Sequence, residues 1–371
     1  MPSPYMSRAL TLAKRGLGST SPNPMVGAVI RDAEGRIVAE GFHKKAGAPH
    51  AEADALKKAA QAAQGATLYV TLEPCNHHGR TPPCTEAILA AGIGRVVVAS
   101  LDPNPHVAGG GIQRLRDAGI PVEVGDGRAE AEALNRPFLT WSRLGRPLIT
   151  LKAAMTLDGK VADRNGRSKY LTSEAALAHA HELRRQHDAI LVGSGTVLAD
   201  DPELTYRGRR RGRDPVRVIL DSRGRTPPEA RVFQSPSTAP TLVFTTEEAS
   251  VDWEREIFSA GGEIVRVDAG PNGRVSLERV LVHLAALQVL SVLVEGGPEV
   301  HGAFVDQGLA DRWVGYLAPL IIGGAEAPSP VAGRGLALPD AHHLEINSVQ
   351  KHGPDVIVDA WFRRALERET R

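Results

Sequence analysis

His50-Ala51-Glu52 and, further along, Pro74-Cys75-Asn76-His77-His78-Gly79-Arg80-Thr81-Pro82-Pro83-Cys84 form the most informative pattern in this chain. One imidazole and two thiolates supply three protein ligands for Zn2+. The fourth tetrahedral position is left to water, as a catalytic site requires. Zinc lowers the pKa of that water toward ~7, so that hydroxide can attack an sp² carbon bearing an amino group. Glu52, two residues from the histidine, is placed to take the water proton and deliver it to the leaving ammonia. Nucleobase deaminases use such a glutamate as a non-ligand. His-x-Glu alone is a weak signal; its conjunction with Pro-Cys and a second cysteine is specific. A closed structural zinc site would need a fourth ligand, which His77 or His78 could supply, but it would leave Glu52 without a role.

The surroundings of this pattern read as α/β. Val26 to Arg31 and Arg36 to Gly41 predict a hairpin turned at Asp32-Ala33-Glu34-Gly35. His50 to Ala63 predicts a helix, ended by Gly65. Thr67 to Leu72 and Arg95 to Ser100 predict strands, Pro83 to Ala91 and Gly110 to Ala118 helices, and Ile120 to Val124 a short strand. That alternation implies a sheet between helices. Leu144-Gly145-Arg146-Pro147 marks a boundary between domains 1–145 and 146–371.

The pattern then restarts. Strands are expected at Leu148 to Ala154, Ala189 to Val192, Val216 to Leu220, Thr241 to Phe244, Glu263 to Val267 and Ser291 to Val294. Helices are expected at Glu174 to His187 and Ser276 to Leu287. A chain of 371 residues is long enough for two such domains, each with its own core. A formal net charge of +1 and 4% aromatic residues argue against a nucleic-acid binder. That disfavours the rival reading as a base deaminase acting on nucleic acid. A non-catalytic, zinc-stabilised ligand-binding module is the other rival. No run approaches the ~20 apolar residues of a membrane helix. The N-terminus has no apolar leader region, so a cytoplasmic protein without a membrane partner is expected. Cys75 and Cys84 are the only cysteines, which favours a metal or catalytic role over a disulfide.

Three segments of the second half carry chemistry-bearing residues. Lys152 stands in the otherwise apolar Leu148 to Ala154, and a lysine there needs a partner or a function. Val192-Gly193-Ser194-Gly195-Thr196 through Asp200, and Val294-Glu295-Gly296-Gly297-Pro298, are glycine-rich turns after buried strands. Neither fits the G-x-G-x-x-G dinucleotide fingerprint. On spacing alone each reads as a structural βα loop. The charged run Arg207 to Arg213 reads either as a solvated loop or as a phosphate contact.

With these residues in view, the chain resembles the bifunctional deaminase/reductase family of riboflavin biosynthesis. Pro74 to Cys84 follows that family's PC-x-H-x-GRTPPC motif, and Ser21-Pro22-Asn23-Pro24-Met25-Val26-Gly27 and Asp102-Pro103-Asn104-Pro105 are similar to it as well. The resemblance runs from about Met6 to Trp361. It is least specific over Gly208 to Pro215 and Glu247 to Arg274. It implies a cytidine-deaminase-like α/β/α sandwich followed by a dihydrofolate-reductase-like α/β domain. It implies zinc on His50, Cys75 and Cys84 with Glu52 as acid/base, and NADPH as the second cofactor. Asn23, His43 and Arg80 would hold a phosphoribosylamino-pyrimidine, although Asn23 between prolines also reads as a turn residue. Ala154, Tyr170, Thr196, Asp200 and Gly297, Pro298, Glu299, Val300, His301, Gly302 and Ala303 would contact NADPH, with Ser222 or the Arg207 to Arg213 loop available to its 2′-phosphate. Tyr170 stands where the family commonly has tryptophan. Ser168, Arg184, Leu204, Arg207 and Glu295 would contact substrate, Lys152 would hold the ribose oxygen, and Asp200 would supply a proton. The implied chemistry is hydrolysis of the 2-amino group of 2,5-diamino-6-ribosylamino-pyrimidinone 5′-phosphate, then reduction of the ribosyl chain to ribityl. A homo-oligomer is left open.

Overall fold

The computed structural model of the chain describes residues 1–78, 82–104, 109–168, 171–208, 212–270 and 272–369. They form two compact units, Met1–Gly145 and Arg146–Arg371. The first opens with α1 (Pro4–Ala13), a helix not among those expected from the sequence. The Ser3 hydroxyl caps it by accepting the Met6 N–H, and Pro4 occupies the first turn, where no N–H is needed. The expected hairpin follows as β1 (Gly27–Arg31) and β2 (Ile37–Phe42). Helix α2 (Ala51–Ala59) is shorter than expected. The main chain turns to a positive φ at Ala60, and residues 60–63 finish as a 3-10 turn.

β3 (Thr67–Leu72), α3 (Cys84–Ala90), β4 (Arg95–Ser100), α4 (Gly110–Asp117), β5 (Val122–Val124), α5 (Arg128–Leu134) and α6 (Arg136–Leu144) complete the unit. The sheet order is β2-β1-β3-β4-β5, with β3, β4 and β5 parallel. Alternation along the strands divides the core. Leu68 and Val70 face α2, α3 and α4, while Tyr69 faces α1 and α5. One glycine permits a contact that shapes the site. A Cβ at Gly111, in the first turn of α4, would lie 1.9 Å from the Pro74 carbonyl oxygen.

The second unit contains β6 (Leu148–Thr156), α7 (Glu174–Arg185), β7 (Ala189–Gly193), α8 (Ser194–Asp200), β8 (Val216–Leu220), α9 (Arg231–Gln234) and β9 (Thr241–Thr245). There follow α10 (Val251–Ser259), β10 (Gly262–Arg266), α11 (Leu277–Ala286), β11 (Ser291–Val294) and α12 (Pro298–Asp306). Three strands beyond those expected extend the sheet: β12 (Arg312–Ala318), β13 (Leu344–His352) and β14 (Asp355–Phe362), before α13 (Arg363–Glu369). The order is β10-β9-β8-β7-β11-β6-β12-β14-β13. Strands β10 through β12 are parallel, and β14 and β13 join antiparallel. No helix among the described residues is long and apolar enough to cross a membrane.

The entry to β6 is fixed by a buried ion pair. Arg146 donates two 2.7 Å hydrogen bonds to the Asp311 carboxylate, which also accepts the Ile149 N–H at 2.8 Å. Asp311→Ala leaves the Arg146 guanidinium in the interior without its counter-charge, with the Pro147 carbonyl as its remaining acceptor. Breaking a buried pair in this way costs about 3–5 kcal/mol. Urea unfolding followed by tryptophan fluorescence reads the loss, because Trp253, Trp313 and Trp361 all lie in this unit. A midpoint equal to the parent's would show the pair to be dispensable.

Candidate active sites

In the first unit His50 occupies the position just before α2, Cys75 follows β3, and Cys84 is the first residue of α3. His50 Nδ1 lies 3.3 Å from Cys84 Sγ and 3.5 Å from Cys75 Sγ, and the three ligand atoms all fall within 4.8 Å of one another. A tetrahedral ion with bonds of about 2.0–2.3 Å wants ligand edges of roughly 3.5–3.8 Å, so the donor set fits zinc. Among the described residues no fourth metal ligand joins this group. His78 instead faces Glu86 on the surface, at 3.3 Å. The thiols hold each other in unequal states. Hydrogen bonding with Cys84, helped by His50, pulls the Cys75 thiol down, while the same contact and burial push Cys84 up.

Glu52 points from the first turn of α2 into the interior and is 3% exposed. Burial lifts its carboxyl to about 6. Such a group both accepts and returns a proton near neutrality. His43 is 2% exposed, with its ring edge-on to His50 at 5.5 Å between centroids. Its Nδ1 faces the Pro49 carbonyl oxygen at 3.1 Å, so Nδ1 carries the proton and Nε2 accepts from the Asn23 amide, also at 3.1 Å. Both His43 ring nitrogens are thus engaged, and the ring orients the Asn23 amide. Arg80 lies outside the described residues.

Glu73 has a part that the motif around it does not announce. Its buried carboxylate accepts the N–H groups of Gly109, Gly111 and Ile112 at 3.0–3.2 Å. It thereby caps α4 and pins the strand end from which Cys75 emerges. The signal available in the sequence is an acid placed between buried β3 and Pro74.

In the second unit, Arg184 on α7 grips Glu295, just after β11, through two parallel bonds of 2.9 and 2.8 Å. Its third bond goes to the Thr205 carbonyl at 2.9 Å. Burial would raise the Glu295 carboxyl, but Arg184 overrides it and Lys152 adds to the pull, bringing it down to about 2. Burial lowers the Lys152 ammonium, and Glu295 opposes this. The ammonium nitrogen sits 5.1 Å from the Tyr316 ring centre. Leu204 is buried with φ +54, an unfavourable conformation for a branched side chain that aims Thr205 O at Arg184.

Arg207 bonds Glu203 at 2.7 Å, and its N–H meets His181 Nδ1 at 3.4 Å. No sequence signal marks His181. It stands one helical turn before Arg184 on α7, and burial brings it down to about 4. Ser168 Oγ donates to Asp200 at 3.2 Å. Thr196 lies beside Gly297, 3.8 Å from where a Cβ would stand, and Val300 packs over Gly193 and Gly296. Gly195 stands in open space and Gly297 nearly so, beside the ends of β7 and β11, which lets a dinucleotide approach the main chain there, whereas Val300 closes over Gly193 and Gly296. Glu299 pairs with Arg274, the His301 ring nitrogens face the Pro330 and Val294 carbonyls, and the His301 main-chain N–H bonds the Gly297 carbonyl. Arg213 pairs with Asp188, which precedes β7, whereas Ser222 follows β8; the two lie at opposite ends of the strands. Tyr170 lies outside the described residues.

Residues 2–100 match the cytidine and deoxycytidylate deaminase zinc-binding region, and residues 147–358 match the RibD C-terminal domain. The chain is 45% identical to riboflavin biosynthesis protein RibD of Bacillus amyloliquefaciens, over 96% of this chain and 95% of that one. It is 43% identical to RibD of Escherichia coli strain K12, over 95% and 97%. The chain belongs to the RibD family. Solved RibD structures agree with the fold. Form 1 of the Acinetobacter baumannii protein has a TM-score of 0.87 at 38% identity, over 96% of this chain and 98% of that one. A Thermotoga maritima structure described as a diaminohydroxyphosphoribosylaminopyrimidine deaminase/5-amino-6-(5-phosphoribosylamino)uracil reductase has a TM-score of 0.84 at 40% identity, over 96% and 97%.

As a RibD protein the chain is a bifunctional deaminase and reductase of riboflavin biosynthesis, and its cofactors are zinc and NADPH. The rival readings, a nucleic-acid base deaminase and a non-catalytic zinc module, give way to this one. Replacing both thiols tests the metal assignment. A Cys75→Ser/Cys84→Ser variant is expected to fall from about one zinc per chain to essentially none by metal analysis, because a lone imidazole does not retain the ion. Full zinc content in that variant would exclude these ligands.

Proposed function

We propose that residues 1–145 perform the deamination and residues 146–371 the reduction, with His50, Cys75 and Cys84 holding zinc and Glu52 moving the proton. The observation that carries the first assignment is a buried glutamate, its carboxyl near 6, two residues from one of three convergent soft ligands. Zinc, when bound, lowers the pKa of water toward ~7 and so supplies a nucleophile at neutral pH. Glu52 accepts the proton this releases and delivers it to the departing nitrogen. Oxygen from water replaces the 2-amino group, and ammonia leaves. Asn23, oriented by His43, presents its amide oxygen to the pyrimidine, and Arg80 meets the phosphate.

In the second unit, NADPH supplies hydride to the ribose carbon. Lys152 holds the ribose oxygen, and Asp200, with Ser168 beside it, provides the proton that this oxygen takes up. Ser168, Arg184, Leu204, Arg207 and Glu295 bind the substrate. Ala154, Thr196, Asp200, Ser222 and the turn from Gly297 to Ala303 bind the cofactor, with Tyr170 supplying an aromatic face. The Glu295 carboxylate, kept charged by Arg184, opposes the downward pull that burial and Arg184 exert on the Lys152 ammonium. The protein acts in the cytoplasm on a small phosphoribosylamino-pyrimidine, without nucleic acid or membrane, and a homo-oligomer is compatible with this.

Two substitutions separate the chemistries. Glu52→Gln keeps size and some hydrogen bonding but removes the base. Deamination is expected to fall by ~10²–10⁴-fold, since general acid–base groups contribute that much. Zinc content should stay near one per chain, and reduction of pre-deaminated substrate should be unchanged. Deamination at the parent rate would remove Glu52 from the mechanism. Lys152→Met keeps the side-chain length and deletes the charge. It is expected to abolish most reduction, followed as NADPH oxidation, while deamination continues. A folded variant that reduces substrate at the parent rate would exclude Lys152.

A further inference from the structure

Lys152 carries its charge without a direct ionic partner. Both Glu295 oxygens are taken by Arg184. Among the described residues no carboxylate lies within ion-pair distance of the Lys152 ammonium, and no acceptor within hydrogen-bond reach. What the ammonium does meet is the face of Tyr316, with the nitrogen 5.1 Å from the ring centre. That separation is inside the ~6 Å over which a cation is attracted to an aromatic face. Strand register explains the meeting. In the parallel pair β6 and β12, Val314 stands beside Lys152 and Tyr316 beside Ala154, so lysine and tyrosine project from one face of the sheet. The tyrosine is fully buried there, and its ring has no room to turn away.

Phenylalanine would fill this core position as well; it is the buried hydroxyl that needs an answer. His179 on α7 supplies it, with Nδ1 2.9 Å from the Tyr316 oxygen. The ring of His352, the last residue of β13, packs against His179 at 4.7 Å between centroids. Beyond it, buried Asp355 accepts the Ser173 N–H and hydroxyl at 2.8 and 2.6 Å, which pins the start of α7 to the start of β14. Burial, with His352 and Arg312 nearby, lowers the His179 imidazole from its ordinary value. Burial and the Glu295 charge raise the Tyr316 phenol. Both groups are therefore neutral near pH 7, and their bond sets no further cation beside the ammonium.

We propose that Tyr316, locked by His179, is a positioning residue for the reduction: its ring face fixes where the Lys152 ammonium stands and leaves the ammonium donors free for the ribose oxygen. The inference rests on the role of Lys152 proposed above. Steady-state reduction of pre-deaminated substrate by the full chain tests it, with phenylalanines at 316 that carry from none to several ring fluorines. These keep the shape of the side chain and progressively remove the negative face that attracts a cation. Tyr316→Phe is expected to lower kcat about two- to fivefold, through the lost hydroxyl bond. Successive fluorines should lower it further, to roughly 10- to 30-fold, the upper range for a desolvated cation–π contact. KM for substrate and for NADPH should stay within about twofold, since the contact serves the reacting group and not ground-state binding. His179→Ala should match Tyr316→Phe, and the two together should add nothing, because both delete one bond. A kcat that is flat across the fluorinated series would show a packing role and overturn the proposal. So would a loss confined to the KM for NADPH, which would make the ring a cofactor contact. Lys152→Met, measured alongside, separates the two failures: reduction at the parent rate in that variant would overturn the role of Lys152 and this inference with it.

Discussion

A carboxylate removed from water must be answered by hydrogen-bond donors or by a cation, and in this chain that requirement falls on residues at strand ends. Glu73 leaves β3 and gathers the main-chain N–H groups that open α4. Asp221 leaves β8 and folds the next turn around itself. Glu295 leaves β11 and is clasped by Arg184 across the top of the unit. Asp311 leads into β12 and holds Arg146 and the start of β6. Asp221 is answered within its own turn, but Glu73, Glu295 and Asp311 are answered from distant parts of the chain. The loops that bear Cys75 and Lys152's neighbour Glu295 are therefore positioned by contacts outside their own sequence.

The same residue type serves opposite ends in the two sites. Glu52 has no cation beside it that outweighs burial, so its proton is held loosely near neutral pH. Glu295 is also largely shielded from water, but a guanidinium and an ammonium face it, and it remains charged throughout the physiological range. One is suited to exchange protons and the other to hold a permanent charge. Environment sets the two roles apart, as it does when paired carboxylates divide acid and base duties.

How far each feature is legible in the sequence follows from how local it is. β3, β4, β8 and β11 occur at the residues expected, because short apolar runs between turn formers have little freedom to slide. The zinc ligands are legible because their types and order constrain the chemistry before any folding is considered. β12, β13 and β14 are not. β13 has Glu345, Asn347, Gln350 and Lys351 on an exposed sheet edge, and its short alternation at Leu344 and Ile346 is broken by a register shift between Ile346 and Ser348. Lys152 is visible as an anomaly in an apolar strand. Its partners, 111 residues apart in the Arg184–Glu295 pair, are reachable through family resemblance alone. His181 and Glu73 act through contacts with distant main chain, which no spacing rule announces. His43 lies beside His50, but both of its ring nitrogens are engaged, by Pro49 and Asn23, so it orients the amide instead of offering its own ring.

The position of β6 within the nine-stranded sheet has a consequence for motion. It is flanked on one side by β11 and on the other by β12, both in parallel register. Fraying of a sheet proceeds from its margins, which here are β10 and β13. Amide protons along β6 should therefore be among the last in the unit to exchange with solvent, and the backbone around Lys152 opens only when the whole sheet does. The aim of the lysine is thereby tied to the cooperativity of the whole sheet and not to the turns at its edge.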